Sequence, residues 1–155
     1  MLKEMRLPAD MIPELSSKWM NDLEHWVDCN GSYSLAVGYS IVFWPTFVLF
    51  EDYILPERFT VENVRSWEKH CNGNKHDVEA VINHIHIADI HQDRKDLSIE
   101  KIMFLGPVLK EICEAKLKWQ FPDRPCEVCF IEPDNREDLV DFQLSFWQKK
   151  HVKKN

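Results

Sequence analysis

From Ser98 to Trp119 an apolar residue returns every three or four positions: Ile99, Ile102, Met103, Leu105, Leu109, Ile112, Cys113 and Leu117. That spacing is one face of an α-helix about 30 Å long, with Ser98 suited to its N-cap. A face of that length must be covered by other parts of the chain. Gly106-Pro107 lies inside the segment, and the missing proline N–H predicts a kink or a division into two helices.

The cover is read from the flanks. Leu7 to Pro13 carries two prolines and reads as an irregular lead-in. Pro13 then suits a first helical turn, and Leu15, Trp19, Leu23, Trp26 and Val27 form one stripe that Cys29-Asn30-Gly31 ends. Tyr33 to Tyr39 alternates and predicts a strand. Thr46 to Leu55 is aromatic and β-branched and predicts another, separated from the first by Pro45. Thr60 is placed to cap a helix through Val61, Val64 and Trp67, closed by Cys71-Asn72-Gly73. A further helix is expected from about Lys75 to His84, with Val78, Val81, Ile82 and Ile85 turned inward, while 86–95 fits either a helix end or an extended piece. Pro125–Ile131 and Asp138–Gln148 alternate and predict a C-terminal β-hairpin. Strands at both ends with helices between them predict an α+β fold, helices packed on a mostly antiparallel sheet.

The 155 residues fit one domain, and a 45% hydrophobic content with 12% aromatics can furnish its core. The expected division is a body of residues 1–148 and a frayed basic tail, 149–155. The net charge is −7; with the four lysines of the tail set aside, the body stands at −11. Such a body repels nucleic acid and anionic lipid and favours a basic protein partner. The tail lysines are the one feature that points the other way. The longest apolar stretch, Ser40 to Phe50, is shorter than the roughly 20 residues a spanning helix needs, so no membrane segment is expected. Five cysteines at irregular spacings, with no secretory leader, read as reduced thiols in a cytoplasm.

Candidate chemistry concentrates in two places. The first is the polar set Asn83, His84, His86, Asp89 and His91. Imidazole nitrogen and carboxylate oxygen are the usual donors to zinc and related ions, so His84, His86, Asp89 and His91 define a metal-binding or small metal-dependent enzyme reading. Against it, the spacing matches no ligand signature, and local hydrogen bonding beside a buried Val/Ile stripe accounts for the same residues. The second is acidic. Between Asp123 and Asp141 seven carboxylates face two arginines, and Glu132, Asp134, Glu137, Asp138 and Asp141 gather at the hairpin tip. These five are the candidate partner-binding residues, by charge steering of a basic protein. Cys126-Glu-Val-Cys129 has redox or zinc spacing, but in a strand two residues three apart point to opposite faces. No nucleophile elbow and no phosphate-cradling glycine loop is present, no cofactor is implied, and the balance lies with a binding protein over an enzyme.

Two stretches carry a resemblance. Val78-Glu-Ala-Val-Ile-Asn-His-Ile-His-Ile-Ala-Asp, with Phe121-Pro-Asp-Arg-Pro and Leu139-Val-Asp-Phe-Gln-Leu-Ser-Phe-Trp-Gln, resembles an uncharacterised family of small bacterial proteins, which brings no activity with it. Trp19, Trp26, Ser32-Tyr-Ser-Leu-Ala-Val and Phe47-Val-Leu-Phe-Glu-Asp resemble the N-terminal half of contact-dependent growth-inhibition immunity proteins. The second resemblance implies a small cytoplasmic protein that neutralises a toxin by binding it, with no catalytic residues to carry over.

Overall fold

Side-chain caps set where three of the helices begin. Ser98 accepts a hydrogen bond from Lys101 N, Thr60 from Asn63 N and Ser32 from Leu35 N, each cap extended and each answering an orphan donor of the first turn. The structure, a computed structural model, describes residues 8–17 and 22–152. In chain order these form α1 (Ile12–Ser17), α2 (Leu23–Asn30), α3 (Tyr33–Phe43), β1 (Phe47–Phe50), β2 (Tyr53–Pro56), α4 (Val61–His70), α5 (Lys75–Ile82), β3 (Ile85–His86), a 3-10 turn (Ile87–Ile90), α6 (Ile99–Gln120), β4 (Cys126–Ile131), β5 (Gln143–Gln148) and a second 3-10 turn (Lys149–His151). The fold is α+β, with β1–β2 as one antiparallel pair and β3-β5-β4 as an antiparallel three-stranded sheet.

Several expectations are corrected. The stripe from Pro13 to Val27 is not one helix: Asp22 is extended and caps α2 afresh by accepting from His25 N, while Trp19 lies outside the described residues. Tyr33 to Tyr39 is helical, not a strand. Ser32 caps it, and Pro45 leaves room for three turns before the chain must extend. The single strand over Thr46–Leu55 is a hairpin, because Glu51 takes a positive φ of 53° and turns the chain with Asp52. α6 runs unbroken through Pro107. The final strand starts at Gln143, so the link from β4 covers residues 132–142. Lys149 to His151 are docked and not frayed: Lys149 N donates to Pro125 O, and His151 turns inward. Residues 153–155 of the expected tail lie outside the described residues.

The main core joins α6 to the sheet through Ile102, Leu109, Leu117, Val128, Phe142, Leu144 and Phe146. Gly106 sets the approach of α6 to β4: a Cβ there would stand 2.4 Å from the Phe130 ring. A second cluster, Tyr53, Leu55, Val64 and Val78, fills the space under α4 and α5.

The β1–β2 pair and the three-stranded sheet do not share a backbone ladder. Side chains of α5 and its C-cap bridge them. Asn83 Nδ2 donates to Ile54 O (2.9 Å) and Phe146 O (3.0 Å), and the Glu79 carboxylate accepts from Ile54 N (2.9 Å) and Gln148 N (2.8 Å). Glu79 and Asn83 are one helical turn apart, so both reach the same seam. β3 covers β5 only at Leu144 and Gln143. Beyond it, the two side chains satisfy buried strand groups that would otherwise lack partners.

Candidate protein-binding surface

Two residues of the histidine set, His84 and His86, come beside the acidic loop at the sheet. His86 pairs with Gln143, and Gln143 with Ile131, so their side chains share a face. His86 Nδ1 donates to Val140 O at 2.7 Å, which ties β3 to the 132–142 loop. His84 stands beside it, ring centroids 5.2 Å apart, with its own Nδ1 donating to Val81 O. Each ring is thereby held by one nitrogen.

The loop itself displays Glu132, Asp134, Glu137, Asp138 and Asp141, all exposed. Asn135 Oδ1 accepts from Glu137 N and Asn135 O accepts from Asp138 N, a turn built from local bonds. Arg136 pairs with Glu132 at 2.5 Å, an exposed bridge that offsets one of the five carboxylates. Ile131, on the His86 face, and Val140 are apolar and exposed at the base of the loop, while Ile85 lies on the opposite face with Leu144.

The rest of the histidine segment goes elsewhere. Asn83 is buried in the seam. Asp89 pairs with Arg94 at 2.5 Å, and Nε2 of His91 meets the Tyr39 hydroxyl of α3, also at 2.5 Å. His84, His86, Asp89 and His91 therefore do not converge. Among the described residues no three His, Cys, Asp or Glu side chains are placed to hold a metal ion. Cys126 and Cys129 are free thiols on β4; burial pushes Cys126 up to about 12, as it does Cys113, which keeps both protonated and unreactive at neutral pH.

The densest ionic network was not foreseen. Asp52, in the β1–β2 turn, meets Lys75 Nζ (2.9 Å), Arg124 Nη1 (3.1 Å), Lys150 Nζ and His151 Nε2 (3.3 Å). The Lys150 ammonium, then that of Lys75, hold its carboxyl far below the usual carboxylate range. His151 continues inward, its Nδ1 2.8 Å from the buried Glu79 Oε2. Arg124 and Lys150 also line a cleft of about 370 Å³ with Asp123, Pro125 and Gln148. Their charges are already directed at Asp52, so the cluster acts as a clamp on the seam. Its only sequence signal was Lys149-Lys150-His151 following β5 without a turn residue.

No helix among the described residues is long and apolar enough to cross a membrane. No known protein family, curated protein or solved structure matches the chain.

Proposed function

We propose that the protein is a non-enzymatic bacterial binding module that engages a basic protein partner through the 132–142 loop. The observation that carries this is a loop with five exposed carboxylates, tied to the half-buried His86 beside the exposed His84, with Ile131 and Val140 exposed at its base. Exposed carboxylates steer a basic partner, and apolar side chains beside them give contact area. The resemblance to contact-dependent growth-inhibition immunity proteins gives the reading its particular form: a cytoplasmic protein that neutralises a basic toxin domain.

The test is retention of a basic protein from bacterial cytosol at low salt. The comparison is with the quadruple variant Asp134→Asn, Glu137→Gln, Asp138→Asn, Asp141→Asn. The expected result is a partner bound by the native loop, lost from the variant, and weakened steeply as ionic strength rises past about 0.15 M. If no protein is retained at low salt, or the variant retains it equally, the reading fails.

A further inference from the structure

α3 is apolar on two opposite faces. Val42 and Phe43 pack on the main core. Tyr33, Val37 and Ile41, four residues apart and 93%, 73% and 75% exposed, run along the opposite side. A helix that is hydrophobic all round is ordinarily buried all round. The stripe continues past the helix end into Trp44, whose ring centroid lies 6.0 Å from that of the exposed Trp119, with Lys116 Nζ beneath both rings. From Cys29 to Phe50 the chain has no acidic, basic or histidine side chain at all, on a molecule of net charge −7.

We propose that this face is a homodimer interface, in which α3 packs antiparallel against α3 of a second copy. Three features favour a second copy over other occupants. The exposed parts of Tyr33, Val37, Ile41, Trp44 and Trp119 amount to roughly 700 Å² at usual side-chain areas, close to the ~800 Å² per partner of a standard interface. The face is self-complementary, as an isologous contact requires. Its ridge of residues spaced by four lies beside Ser34 and Gly38, where a Cβ at Gly38 would meet nothing within 4 Å, so one ridge has a trough to enter. With the two-fold axis near Val37 and Gly38, Tyr33 of one copy falls against the Trp44–Trp119 pair of the other. Charge supplies the third: Tyr33, Val37, Ile41, Trp44 and Trp119 are uncharged and Lys116 is covered by the two Trp rings, so two acidic bodies can join there without pressing carboxylates together. A lipid surface fits less well, because interfacial helices carry Lys or Arg on the flanking face and this segment has none.

The measurement is sedimentation equilibrium of the full chain from about 1 to 100 μM, with Val37→Lys beside it. Val37 points away from the core, so circular dichroism and melting temperature should be unchanged in the variant. The native chain is expected to sediment at twice the chain mass, and the variant to have a dimer dissociation constant at least about 100-fold higher, since two ammonium groups meet at the axis. The acidic-loop quadruple variant is expected to stay dimeric, which separates this interface from partner binding. In a Cys29→Ser background, Val37→Cys should crosslink two copies on mild oxidation. A native chain that is monomeric at 100 μM overturns the proposal, including one that instead co-sediments with phosphatidylcholine vesicles. So does a dimer that survives Val37→Lys and gives no crosslink.

Discussion

Replacing Glu79 by alanine should be among the most damaging single changes in the fold. The side chain is fully buried and its carboxylate accepts from Ile54 N (2.9 Å), Gln148 N (2.8 Å) and Gln148 Nε2 (2.7 Å), with His151 Nδ1 at 2.8 Å. Gln148 Nε2 keeps a second acceptor in Asp52 O, so its loss is small. The amides of Ile54 and Gln148 lose their acceptor, at about 1–3 kcal/mol each for a buried unsatisfied donor. His151 is left without its inner partner. Removing the carboxylate also removes its desolvation cost, so the net falls at about 3–5 kcal/mol, the range for breaking one side of a buried charged contact. Domains of this size hold about 5–15 kcal/mol in total. With a urea slope of about 2 kcal/mol/M, the midpoint of unfolding should drop by about 2 M, while the exposed Glu111→Ala should move it by less than about 0.3 M. A drop under 0.5 M for Glu79→Ala would mean that the seam is held by apolar packing alone, and the reasoning would be wrong.

Two further outcomes follow from packing and charge. Gly106→Ala gains up to about 1 kcal/mol of helix propensity but sets a methyl 2.4 Å from the Phe130 ring, so a net loss of about 1–2 kcal/mol is expected, largely recovered in Gly106→Ala/Phe130→Leu; equal losses in single and double variants would refute the contact. Because cations depress the Asp52 carboxyl in the folded state, its contribution is present above the unfolded value of about 3.9 and is lost as pH falls below it. Asp52→Asn should therefore be less stable at pH 7 but lose less on acidification from pH 5 to 2 than the native chain, in a modest effect because the group is partly exposed; parallel urea-melt profiles for the two would contradict the assignment.

What the sequence disclosed was what it encodes locally. α4 and α6 have caps within three residues of the donors they satisfy and stripes at helical spacing, so both were readable. The acidic loop was readable because its charges are adjacent in the chain. α3 was misread because Tyr-Ser-Leu-Ala-Val-Gly-Tyr alternates like a strand and contains β-formers. Its helical signal was one cap, Ser32, and an apolar residue on every face leaves no period to detect. Glu79 looked like any carboxylate on a helix. What makes it structural lies 25, 69 and 72 residues away in Ile54, Gln148 and His151. The histidine segment was noticed as one cluster and resolved as four: Asn83 in the seam, His84 and His86 near the acidic loop, Asp89 with Arg94, and His91 against Tyr39 of α3.

The seam also sets an order on biosynthesis. Glu79 is made well before Gln148 and His151, which provide most of what its carboxylate meets. Until those residues are synthesised, the carboxylate can remain solvated only by staying out of the interior. The nascent chain can form α4, α5 and the β1–β2 hairpin, but the side of α5 that faces β5 has to stay wet. Closure of the molecule is thus reserved for the last strand, and a ribosome paused before residue 148 would display an open half-structure with its acidic hinge still in water.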